Sequence, residues 1–167
     1  WDGRGNLQRA AREARAALIA DWAAGQGIDH VMTGHTRDDV AETVLMRLAR
    51  GSGVDGLAVL PLCRADRVTW VRPLRGIGRA ELRAWLRAEG EGWIEDPSNE
   101  AWRFERTRAR AMLGPLAELG LDAQRLAGTA DHMRRARDAL QVMALRAADA
   151  EDEEGGDLVI ERDRFAR

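Results

Sequence analysis

The chain has 167 residues, 45% of them apolar, and a formal charge of -2, which suits one ordinary domain or one domain with part of a second; no apolar run approaches the ~18 residues of a membrane span. Cys63 is the only cysteine, excluding an internal disulfide framework, a Cys-rich zinc site and a Cys-x-x-Cys redox pair. All 26 basic residues are Arg, so there is no P-loop lysine and no Schiff-base lysine, and phosphate contacts fall to Arg, His or backbone N–H groups.

Asn6 is an N-cap for a helix over 7–25, in which Leu7, Ala10, Ala11, Ala14, Leu18 and Trp22 recur at helical spacing. Trp1-Asp2-Gly3-Arg4 has no apolar h-region and is not a signal peptide, so the cytoplasm is the default compartment. Residues 28–33 read as a short buried strand, Gly34-His35 as a strand-to-helix turn, and 38–50 as a helix closed by Gly51-Ser52-Gly53. Residues 67–72 read as a second strand and 79–89 as a short helix carrying Leu82, Trp85 and Leu86. Trp93-Ile94-Glu95 is a brief strand or extended piece, and an Arg-rich helix covers 101–113. Pro115 suits the first turn of a following helix or a break. A long helical segment spans Asp122 to Ala150, and Leu158-Val159-Ile160 is a candidate strand. Alternating helix and strand up to residue 95 predicts an α/β fold with a parallel sheet, and a boundary near 114 separates it from a mainly helical segment.

Charge is unevenly spread. Residues 101–114 hold Arg103, Arg106, Arg108 and Arg110 against Glu105, with Trp102 and Phe104 interleaved, a mixture that suits phosphate and base contacts and equally a solvated helix face. Arg103, Arg106 and Arg110 share a face; one helix cannot aim Arg106, Arg108 and Arg110 at one point. Thr36-x-x-Asp39 and Asp39-x-x-Glu42 each have capping-box spacing. Asp39 and Glu42 also project from one face, where two carboxylates could grip an ammonium group and one could accept its proton. His35 sits at the carboxyl edge of a strand, where α/β sheets bind ligands, or is a turn histidine bonded to backbone. Gly51-Ser52-Gly53 could cradle a phosphate or serve as a helix C-cap and turn.

Three separated strings carry a family resemblance. The first is Gly5-Asn6-Leu7 with Ala11-Arg12-x-x-Arg15; the second is GHTRDDVAETVLMRLARGSGVDGLAVLP at 34–61; the third is Glu95-Asp96-Pro97-Ser98-Asn99 with Phe104-x-Arg106-x-Arg108-x-Arg110. Together they resemble the PP-loop ATPases that modify tRNA, most closely the tRNA(Ile)-lysidine synthases. Departures are Ala16 where Tyr is usual, Thr107 where Asn is usual and Ala109 where an aliphatic is usual. The family's glycine-rich phosphate loop, SGGxDS, occurs nowhere in the 167 residues. The resemblance therefore implies the second half of a Rossmann-like PP-loop ATPase domain over 1–114, and the start of a helical tRNA-binding domain over 115–167. The isolated chain is then expected to be inactive, and its lack of an initial Met fits a piece cut from something longer.

By matching position, the resemblance implies that Arg15, Gly34, His35 and Thr36 bind ATP. It implies that Asp39 and Glu42 bind free L-lysine and act catalytically with Arg106 and Arg110, and that Arg103, Arg106, Arg108 and Arg110 meet tRNA phosphate. No residue is assigned to a protein-bound metal. The implied reaction adenylates a cytidine of tRNA(Ile) with ATP, Mg2+ accompanying the nucleotide, and then joins lysine to it. The sequence leaves oligomeric state open, a homodimer included. A tRNA-thiolating relative is the alternative enzyme; members that depend on an iron–sulfur cluster need cysteine ligands, which Cys63 alone cannot supply. A non-catalytic binding module is the alternative of a different class.

Overall fold

The computed structural model describes residues 7–60, 62–65, 68–95, 102, 104–148, 153–154 and 157–158. The first helix, α1, runs Leu7–Gly25. It ends in a left-handed turn at Gly27, φ 68°, where the Gly27 N–H donates to the Ala24 carbonyl at 3.1 Å and the Ile28 N–H to the Ala23 carbonyl at 2.8 Å. These bonds satisfy carbonyls that the last turn would otherwise orphan. The small side chains Ala20 and Ala23 are buried against Val68, with Val31 and Trp70 packed alongside, so the helix approaches the sheet closely.

That sheet consists of β1 (His30–Met32), β2 (Leu62–Ala65) and β3 (Val68–Val71) in the order β1-β3-β2. β1 and β3 are parallel, with Val31 opposite Trp70, as the α/β pattern predicts. β2 was not anticipated; it pairs antiparallel with β3, Cys63 opposite Trp70. Four residues directly after Pro61 are too few to display a period of two, so only pairing with β3 defines them as a strand. The parallel ladder extends one residue beyond β1, where the Thr33 N–H donates to the Val71 carbonyl at 2.9 Å.

Helix α2 (Arg37–Leu48) leaves that carboxyl edge, and α3 (Val54–Leu57) follows the Gly-Ser-Gly turn. Gly51 has φ 69°, and the Ser52 N–H donates to the Arg47 carbonyl at 3.0 Å, so this loop closes α2 as a C-cap. Helices α4 (Arg79–Ala88), α5 (Glu105–Glu118) and α6 (Ala123–Ala148) complete the order, before a short pair β4 (Glu153–Glu154) and β5 (Asp157–Leu158). α5 continues past Pro115 for one turn; the imide nitrogen removes one intrahelical bond so near the C-terminus that packing outweighs it. The helix stops at Gly120, φ 82°. Residues 91–95 form no strand.

Val40, Ala41 and Val44 of α2 pack with Leu57, Val59 and, from α6, Leu126, Ala127 and Ala130. Each fully buried Val contributes about 1.5–3 kcal/mol, so this cluster holds α2 rigidly at its inner face. The boundary expected at 114 falls inside α5, and the helix beyond it shares this core with α2.

Candidate functional site

The carboxyl ends of the two parallel strands converge on one cavity of about 260 Å³, lined by Arg12, His35, Asp39, Thr43, Arg72 and Arg106 among others. His35 follows β1 and Arg72 follows β3, so the site lies where open α/β sheets bind ligands. It is slightly smaller than the roughly 300–1,000 Å³ of complete small-molecule sites. Arg47 of α2 and Arg50, in the turn that follows it, add two further guanidiniums to the lining. Arg47 is committed to the Gly56 carbonyl and Arg50 to Glu105. The cavity thus holds five arginines, one histidine and one carboxylate, an arrangement that attracts phosphate and leaves a single point for a cation.

The sequence at 35–43 divides its polar groups among distinct tasks. The His35 Nδ1 lies 2.9 Å from the Thr33 hydroxyl. Burial, then the Arg72 charge, lower the imidazole below its ordinary value against the pull of Asp39, which keeps it neutral at pH 7. Asp39 Oδ2 accepts from the Thr36 N–H at 2.8 Å and from the Thr36 hydroxyl at 2.7 Å. Burial alone would raise the Asp39 carboxyl, but the Thr36 bonds and the Arg79 and Arg106 charges outweigh it and hold it below the usual aspartate range. Asp38 caps α4, accepting from the Arg79 N–H at 2.7 Å, and Arg37 donates to Glu81 at 3.0 Å. The segment between the turn and the helix therefore also docks α4.

Glu42 departs from expectation. It was expected to offer a second carboxylate to the same ligand as Asp39, but it is 0% exposed and does not line the cavity. Its Oε1 accepts from Arg110 Nε at 2.7 Å and from Arg79 Nη2 at 3.2 Å, and its Oε2 lies 3.3 Å from Arg106 Nε. A buried carboxylate must be paired, and these three cations occupy it. The second capping box, Asp39 to Glu42, is absent because Asp39 lies inside α2 at its third position, with Thr36 as the N-cap. Asp39 keeps 17% of its side chain exposed and lies 3.6 Å from Arg79.

Of the other expected residues, Arg106 and Arg110 meet at Glu42, whereas Arg108 is turned outward, donating to the Trp102 carbonyl at 3.3 Å. Spacing alone had separated Arg108 from a common point. Gly34 and the buried Thr36 flank His35 in the turn. Arg15 is exposed on α1 and outside the cavity lining; Arg12, one turn earlier in the same string, lines it. Arg103 and Asp96–Asn99 lie outside the described residues. Sequence reasoning missed Arg72, Arg79 and Thr43. The position of Arg72 at a strand's carboxyl end was a usable signal, whereas nothing in the string marks Arg79.

Anionic nucleotide chemistry fits the lining. Mg2+ finds no group of three or more His, Cys, Asp or Glu among the described residues. It needs only one or two carboxylates when phosphates complete its shell, and Asp39 is the cavity's one carboxylate, already engaged by Thr36. No helix among the described residues is long and apolar enough to cross a membrane.

Residues 2–117 match the PP-loop domain family. The tRNA(Ile)-lysidine synthase of Ruegeria pomeroyi is 52% identical over 163 residues, covering 96% of this chain and 39% of that protein. The enzyme of the same name from a Bradyrhizobium species is 45% identical, covering 86% of this chain and 41% of its own. The chain thus spans about two fifths of the length of these curated relatives. Among solved structures, the U34-tRNA thiolase of Methanococcus maripaludis, with its 4Fe–4S cluster, superposes with a TM-score of 0.60 at 20% identity. The match covers 95% of this chain and 50% of that one, and the likeness is one of fold.

Proposed function

This chain belongs to the PP-loop domain family, and we propose that the protein it comes from is a tRNA(Ile)-lysidine synthase. It would adenylate a cytidine of tRNA(Ile) with ATP, releasing pyrophosphate, and then exchange AMP for the amine of free L-lysine. One observation carries this reading: a single cavity gathers residues from all three separated strings. Arg12 comes from the first, His35, Asp39 and Thr43 from the second, and Arg106 from the third.

In this proposal Arg12, Arg72 and Arg106 offset phosphate charge as it develops. A carboxyl held below its usual range keeps its negative charge and takes a proton poorly. Asp39 therefore holds the lysine ammonium, and the neutral His35 in the same cavity is the better-placed proton acceptor. Arg108 and Arg110 of α5, together with Arg103, meet tRNA phosphate. Mg2+ carried by nucleotide phosphates, cytoplasmic residence and a homodimer are parts of the same proposal, as is a helical tRNA-binding unit beyond residue 114.

The test uses the full-length protein, with an SGGxDS loop ahead of this chain, and labelled lysine. ATP-dependent incorporation into tRNA(Ile) is expected. Absence of incorporation, or a product mass that gains sulfur, would replace the reading with the thiolating alternative or with a binding module.

A further inference from the structure

Glu42 has surroundings that neither capping nor ligand binding requires. Its carboxylate is 0% exposed and faces one guanidinium from the start of α4 and two from α5. Arg106 and Arg110 are one helical turn apart, so both can reach one acceptor. Arg106 is held at a second point, where its Nη2 donates to the Thr43 hydroxyl at 3.3 Å. Thr43 in turn donates to the Asp39 carbonyl at 2.7 Å. Glu42 and Thr43 are adjacent on α2, so two neighbouring residues aim one long side chain. Among the three partners of Glu42, Arg106 alone lines the cavity.

The node is incomplete as it stands. Glu42 Oε2 and Arg106 Nε are buried and 3.3 Å apart, yet neither makes a hydrogen bond. Counting Asp39 beside Arg79, three guanidiniums face two carboxylates, leaving a positive excess. Catalytic hydrogen bonds of this kind are often loose before a ligand arrives and tighten with it.

We propose that Glu42 is a positioning residue that holds Arg106 against the phosphate-bearing substrate and does not bind lysine. The inference deepens the lysidine reading and rests on it. A flexible Arg with no fixed anchor would sample many rotamers, and its ordering would be charged to each catalytic encounter. A buried counter-ion orders it beforehand. The lysine ammonium is left to Asp39, which keeps exposed surface in the cavity.

The experiment follows the two chemical steps separately in the full-length protein, by pyrophosphate release and by lysine incorporation. Glu42→Gln should slow adenylation on the order of 100-fold, the cost of a misplaced catalytic group, with lysine half-saturation unchanged. Glu42→Asp, which keeps the charge, should recover part of the rate. In an Arg106→Ala background, Glu42→Gln should add no further loss, because both act through one group. Raised lysine half-saturation with normal adenylation, or additive losses in the double variant, would overturn the proposal. Should Glu42→Gln melt below the assay temperature, Thr43→Val takes its place, removing the other anchor of Arg106 without touching a charge. It should slow adenylation and leave lysine half-saturation alone; an unchanged adenylation rate counts against the proposal. A wild-type protein that forms no lysidine would sink the underlying reading instead. Inorganic pyrophosphate binding then decides the role of Glu42. Glu42→Gln and Arg106→Ala should each weaken it roughly tenfold, as for loss of a charged contact, and an unaffected Glu42→Gln overturns the assignment.

Discussion

Two clusters of this molecule use the same residue types to opposite ends. At α2, Glu42 is fully buried beneath Arg79, Arg106 and Arg110. On the outer side of α4, Glu95 pairs with Arg83 and accepts from Trp93 Nε1 at 2.8 Å. The Trp93 ring lies 5.4 Å from the Arg83 guanidinium carbon and 5.0 Å from that of Arg87. Yet Glu95 keeps 63% of its side chain in water. Solvent already satisfies most of what Glu95 needs, so its ion pair adds little. Glu42 has no such recourse, and removing either side of its network strands a charge. Burial, not residue type, separates a cluster that organises a site from one that decorates a surface.

The sharpest way to break this comparison is Glu42→Ala. It should destabilise the protein by about 3 kcal/mol in urea unfolding at pH 7, at the lower end for such pairs because each Arg retains some water. A loss no larger than a surface pair gives would place the two clusters in one class.

Next comes the parallel truncation of one arginine from each cluster. Arg106→Ala should reduce lysidine formation on the order of 100-fold, as for removal of one donor to developing charge, while Arg83→Ala leaves the rate unchanged. Equal rates in the two variants would mean that Arg106 is only a solvated side chain.

Asp39 sharpens the comparison through pH. Its folded carboxyl lies below the ordinary value, so it binds protons less readily than in the unfolded chain, where the value is about 3.9. Its stabilisation is therefore complete above about pH 4 and lost as pH falls through the folded value. Asp39→Asn should cost about 1 kcal/mol at pH 7. Melting curves should show that gap closing as the medium is acidified below pH 4; a constant gap would mean that the charge contributes nothing.

The smallest effect is expected from Glu95→Gln, within about 0.5 kcal/mol of wild type and smaller still in high salt. A change comparable to that of Glu42→Ala would show that exposure does not separate the clusters.

The sequence alone determined what local physics and composition control. Helical periodicity located α1, α2, α4 and α6 to within a few residues, because an amphipathic stripe and its Gly stops are written in consecutive positions. It located the two parallel strands and the Gly34-His35 turn between strand and helix. Thr36-x-x-Asp39 was legible because a helix start satisfies its own N–H groups locally. Tertiary structure alone decided which of two carboxylates, three residues apart on one face, meets solvent. Asp39 and Glu42 are equivalent in spacing, and only the arrival of α4 and α5 over α2 seals Glu42 beneath three guanidiniums. The same holds for Arg12 over Arg15 and for Thr43. Each enters the cavity because an element distant in sequence lies beside it, and side-chain burial is a property of that packing, which no local pattern contains.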